Sequence, residues 1–232
     1  MSQRRAVTMA LLVSAGVVLL DAVLSAHGVS RRDALFVSRV TGPVPVPFAY
    51  LGAKHMVTGY DHLMFLVGVI FFLHRLSDVV KYVSLFTLGH SLTLLTGVLT
   101  DVRANAYIID AIIGLSVVYK GFENIGGFPA VFGVRPNTQL AVLVFGLFHG
   151  FGLATKLQEL ALPSQGLVTN LLSFNVGVEI GQGIALLGVL TALMYWRSRP
   201  GFHRYAFAAN TLLMAGGFVL IAFQLAGYWV NK

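Results

Sequence analysis

Apolar residues fall in seven long runs along the chain, at roughly 6–26, 57–74, 79–99, 106–122, 139–156, 167–196 and 206–230. Each run reaches the ~17–25 residues that carry a helix across a bilayer, and the runs are not the short amphipathic stripes of a soluble core. The pattern predicts an all-α, polytopic transmembrane helix bundle. Six spans follow a first segment with a different character. The expected organisation is residues 1–26 as signal peptide or signal anchor, 27–54 as an extracytoplasmic segment, and 55–232 as a six-span metal-binding domain.

In the first segment, Arg4 and Arg5 precede an apolar core that ends in Leu24-Ser25-Ala26 before His27. Basic, apolar and small residues in that order outline a secretory signal peptide. The run is long for one, and Leu24 is a poor residue three positions before the cut. Cleavage after Ala26 and retention as an anchor therefore both stand. Between the runs, Gly42-Pro43-Val44-Pro45-Val46-Pro47 disfavours helix and reads as extended or turn structure leading into the second run. Gly126, Gly127 and Pro129 mark a similar break between the fourth and fifth.

Composition narrows the picture. Charged residues make up 11% of the chain against 56% hydrophobic, where a soluble domain carries about 25% charge. The formal net charge of +7 does not point to nucleic acid, because the basic residues sit between apolar runs, where they set orientation. With the N-terminus cytoplasmic, Arg4, Arg5, Arg75, Lys81, Lys120, Arg135, Arg197, Arg199 and Arg204 lie inside, and Arg31, Arg32, Arg39, Lys54, Arg103, Lys156 and Lys232 outside. Setting aside the outside residues that directly follow the signal sequence, the bias favours a cytoplasmic N-terminus and an extracytoplasmic C-terminus in the cell inner membrane. There is no cysteine, so a bound metal takes nitrogen and oxygen ligands.

Those ligand types lie inside the runs, where a charge costs at least ~2.5–3.5 kcal/mol to insert. His55, Asp61 and His62 open the second run. Seven residues separate the two histidines, which would place them on one helical face, with Asp61 about 100° from His62. The set could pass a cation from the outer mouth inward, or Asp61 could orient a ligating imidazole. His90 lies deep in the third run and His149 at similar depth in the fifth. Gly146 and Gly150 beside it, and Gly177 and Gly181 in the sixth run, are pairs spaced for close helix approach. Asn175, Glu179 and Gln182 share a face of the sixth run, and Asp110 lies in the fourth. Any single one of these could serve only an interhelical hydrogen bond. Imidazoles and carboxylates on several spans together suit nickel, cobalt, zinc, iron or copper, and suit magnesium or calcium poorly.

These motifs resemble the HupE/UreJ family of membrane proteins, associated with nickel supply to hydrogenase and urease. The resemblance rests on His55-x5-Asp61-His62, the stretches around His90 and His149, and Asn175-x3-Glu179 with Gln182. The first two are also similar to signatures of the broader nickel/cobalt transporter family, where the first spacing is four residues in place of five. The resemblance implies a nickel-type cation as cargo and His55, Asp61, His62, His90, His149 and Glu179 as its ligands, with Asn175 and Gln182 beside them; Asp110 is expected as a further supporting polar group from its place in the fourth run. Family members often begin their mature chain with a histidine, so His27, freed at Ala26, would add an outer capture site.

The expected function is a permease for a divalent cation, driven by membrane potential. No GxxxxGK[ST] motif is present, so no nucleotide is hydrolysed by this chain. The alternative is an intramembrane zinc-type hydrolase using the same cluster, without the HExxH arrangement. A third reading leaves the polar cluster to packing alone. The bilayer and the cation are the expected partners; a homo-oligomer or a metalloenzyme-maturation partner stays open.

Overall fold

In the computed structural model, residues 31–159 and 165–231 are described, and all regular structure among them is helical. The helices are α1 (Arg31–Val37), α2 (Pro45–Thr58), α3 (Tyr60–Ile70), α4 (Leu76–Leu99), α5 (Ala106–Asn124), α6 (Gly127–Phe132), α7 (Thr138–Glu159), α8 (Leu167–Arg197) and α9 (Phe202–Val230). Four of them, α4, α7, α8 and α9, are long and apolar enough to cross a membrane. Large apolar side chains such as Leu88, Leu187, Leu212 and Trp229 face outward, as lipid contact requires and water does not. The chain is a helical membrane protein. The expected signal segment, including the cleavage point after Ala26, lies outside the described residues.

The proline-containing stretch departs from expectation. Gly42 makes a turn at φ +83°, but α2 already begins at Pro45, with Pro45 and Pro47 in its first turn. A proline there gives up an N–H that has no intrahelical partner anyway. The turn is held by Asn170 of α8, whose Oδ1 accepts from the Val44 N–H at 2.7 Å and whose Nδ2 donates to the Gly42 carbonyl at 3.1 Å. Much of the expected extracytoplasmic segment is thus helix packed on α8, and Lys54 ties α2 to α1 through Asp33 at 2.7 Å. The second apolar run is shorter than read, closing at Ile70, and α3 is preceded by α2 with a break between them at Gly59.

Three helix pairs build the bundle: α4 with α7, α2 with α8, and α5 with α9. The glycine pairs read from the sequence lie at the first two contacts. A Cβ on Gly150 would run into the His90 carbonyl oxygen, and one on Gly177 into that of Ala49. Without side chains at these points the backbones meet directly, which is how helices gain packing energy where no hydrophobic effect separates them from lipid. The Thr93 hydroxyl adds a cross-helix bond to the Leu147 carbonyl at 2.6 Å.

Two cations counted as orienting charges prove to be internal. Lys120 is buried and bound to Glu123 at 2.5 Å, and Glu123 also accepts from the Thr138 hydroxyl. Lys156 binds Asp110 at 2.8 Å. Both pairs satisfy charges that lipid would penalise, so neither lysine is a loop charge of the kind that reports topology. Arg197 donates to the carbonyls of Ile70, Phe71 and Leu73, at 2.5, 2.6 and 2.8 Å, and so caps the end of α3.

The core divides into two apolar clusters. One gathers Phe48, Met56, Leu94, Leu153, Leu171 and Phe174. The other gathers Phe65, Ile70, Phe86, Val117, Val142 and Leu193. Along α4 the first cluster ends at Leu94 and the second begins at Phe86; along α7 the corresponding residues are Leu153 and Val142. His90 and His149 fall in the interval on both helices.

Candidate metal centre

The centre begins with the break at Gly59. Its backbone is extended, φ −74° and ψ 100°, which ends α2 and starts α3. His55 and His62 therefore do not ride on one continuous helix, as their spacing suggested. The break still brings their rings together, with centroids 5.0 Å apart. A Cβ at Gly59 would be a tight fit, 3.0 Å from His62 Nδ1 and 3.1 Å from Asp61 Oδ1, so a larger residue would press on both side chains.

His62 is the hub of the site. Its ring centroid lies 5.0 Å from that of His149 and 5.9 Å from that of His90. Two imidazoles that share one ion at ~2.1 Å per nitrogen have ring centres on the order of 5 Å apart. Asp61 Oδ1 stands 3.0 Å from His62 Nδ1. A carboxylate can only accept there, so Nδ1 carries the hydrogen and Nε2 presents its lone pair. The same logic holds for His149, whose Nδ1 lies 2.7 Å from the Phe145 carbonyl. Nε2 of His55, His62 and His149 and both nitrogens of His90 are buried without a hydrogen-bond partner. Leaving several polar atoms unpaired in one place is costly.

A small cavity of about 10 Å³ adjoins His62, lined also by Met56, Phe65, Phe86, Val142 and Gln182. That volume is about one water. Among the described residues, no three His, Asp or Glu side chains converge as a formed coordination sphere. The imidazole approaches run through His62 to His55, His90 and His149, so the set is a branched chain of single donors.

Five of the expected ligands, His55, Asp61, His62, His90 and His149, are thus gathered in one place. Glu179 is not among them. It is exposed on α8 and lines a separate groove of about 480 Å³ between α4 and α8, with Ser84, Thr87, Ser91, Gln182 and Gly183. The expected shared face with Asn175 and Gln182 was too coarse: Asn175 and Gln182 are buried, but a turn of about 40° from Asn175 carries Glu179 past the α2 contact and out to the rim. Asn175 donates to the Leu171 carbonyl at 3.3 Å. Gln182 accepts from the Thr87 hydroxyl at 2.6 Å and borders both cavities. Asp110 is taken by Lys156. His27 lies outside the described residues.

Sequence reading overlooked Asn170 and the hydroxyl row Ser84, Thr87 and Ser91, and took Arg197 only as an orienting charge. The row was legible in principle, since spacings of three and four place it on one face of α4. Asn170 and Arg197 act on backbone atoms of distant segments and leave no local pattern.

No curated protein and no solved structure matches the chain. A family model described as HupE / UreJ protein matches residues 31–232, and the chain belongs to that family.

Proposed function

We propose that this HupE/UreJ protein is a permease for a divalent transition-metal cation, with nickel the first candidate, and that His62 is its central ligand. The observation that carries this reading is the layer of buried imidazoles with unpartnered nitrogens around His62, set between two apolar clusters. Imidazole nitrogen suits nickel, cobalt, zinc and copper. A cargo must be released as well as held, and donors that reach the centre one or two at a time favour exchange over permanent retention. The apolar layers on either side would seal a bound ion from both faces of the membrane, as an occluded step of transport requires.

In this reading the membrane is crossed six times, by the broken pair α2–α3 and by α4, α5, α7, α8 and α9. Broken helices at mid-membrane are where other transporters expose groups that coordinate ions, and Gly59 supplies that break here. The basic residues outside the internal ion pairs orient the chain with α9 ending outside the cell inner membrane. An inside-negative potential contributes ~2.3 kcal/mol per charge per 100 mV, twice that for a dication, and drives uptake. The chamber beside His62 leaves no room for an organic substrate, which weighs against a hydrolase.

X-ray absorption on the nickel-loaded protein tests the ligand set. Imidazole scattering around nickel, lost in His62→Ala, is expected. An all-oxygen shell unchanged by that substitution would remove the His62 centre from the account.

A further inference from the structure

Lys156 follows His149 on α7 by two turns and on the same helical face. About 10 Å of helix axis separates their backbones. A long side chain on a helix leans back toward the N-terminus, so the ammonium of Lys156 is carried toward the histidine level. Asp110 of α5 receives it there, with Oδ1 and Oδ2 at 3.0 and 2.8 Å from Nζ. That contact lies about one turn from His149. Gly152 is where α7 meets α5, and a Cβ on it would stand 3.6 Å from Asp110 Oδ1. The ammonium bears electrostatically on the imidazoles of both His55 and His149, and the Asp61 carboxylate bears on them with the opposite sign. Lys120, by contrast, is held by Glu123 near the other end of α5, about 15 Å along the axis from Asp110.

A fixed positive charge beside a cage of cation ligands asks for a reason. The imidazoles bring lone pairs and Asp61 brings a negative charge, and in a low-dielectric interior a dication on such a set is held strongly. A cargo held too strongly does not leave. We propose that Lys156 sets the affinity of the histidine centre: anchored by Asp110, its ammonium repels a bound dication without touching it and keeps the centre loose enough to release its cargo. Lys156 acts through its field and donates no ligand. Asp110 is the positioning residue, since it holds the long, flexible side chain along α7 and stops it reaching away to water. The inference rests on the transport reading of the centre.

The test is nickel affinity of the purified full chain in lipid nanodiscs, measured by isothermal titration calorimetry for the wild type, Lys156→Gln and Lys156→Arg. Lys156→Gln should bind nickel about tenfold more tightly or better, because it removes the opposing charge. Lys156→Arg keeps the charge and a bond to Asp110 and should bind as the wild type does. An ion pair that served packing alone would never tighten metal binding when broken. Affinity unchanged or weakened in Lys156→Gln, or tightened equally in Lys156→Arg, overturns the inference. A second readout needs no substitution: acylation of the wild-type chain by a water-soluble succinimidyl ester, followed at Lys156 by peptide mass spectrometry. A dication at the centre disfavours the ammonium form, so nickel should speed labelling of Lys156 and leave that of the exposed Lys81 unchanged. An unchanged rate at Lys156 in the nickel-loaded chain overturns the inference even where Lys156→Gln does not fold. A wild-type chain that binds no nickel, cobalt, zinc or copper removes the permease reading and this inference together, whereas nickel binding indifferent to Lys156 removes this inference alone.

Discussion

At the residue scale, the cluster depends on hydrogen bonds that decide which nitrogen of each imidazole is available. Asp61 fixes His62 and the Phe145 carbonyl fixes His149. Asp61→Asn keeps the shape but weakens the acceptor; nickel affinity should fall about 10–100-fold, with the fold intact by circular dichroism. The histidines were legible in the sequence because a mid-span imidazole is expensive and stands out against apolar neighbours. Glu179 stood out for the same reason, yet it faces another cavity. Insertion cost marks a residue as functional but does not say which neighbour it meets, and a helical turn of some tens of degrees decides that. Asn170 was silent because its partners are backbone atoms of Gly42 and Val44, more than a hundred positions away. Asn170→Ala would leave that buried turn unpaired and should lower stability by about 1–3 kcal/mol in denaturant titration, with metal ligands untouched.

At the element scale, the bundle is set by where backbones touch. Gly150 against His90 and Gly177 against Ala49 fix the α4–α7 and α2–α8 pairs, and small residues four apart announced both contacts in advance. Gly177→Val should abolish the native fold, seen as loss of monodisperse protein after detergent extraction. The sequence reading went astray at Gly59. Periodicity alone joins His55 and His62 through one continuous helix, because a single glycine inside an apolar run carries no signal of a break. Gly59→Ala should crowd Asp61 and His62, which its Cβ would approach at 3.1 and 3.0 Å. Metal affinity should suffer more than thermal stability, a split readable by nickel titration beside a melting curve.

At the scale of the whole molecule, His90 and His149 lie between two apolar clusters with His62 against both of them, and ion pairs bury Lys120 and Lys156. The two lysines had been legible only as charges, and their partners Glu123 and Asp110 remove them from the count that orients the chain. In the proposed permease such an interior would bind an ion best while closed to both sides, and transport would follow from opening one apolar layer at a time. The most direct measurement is nickel uptake into proteoliposomes holding the purified chain under an inside-negative potential. The account predicts saturable uptake that rises with the potential and is lost in His62→Ala. Uptake equal in wild type and His62→Ala, or none in wild type for nickel, cobalt, zinc, iron or copper, would contradict it.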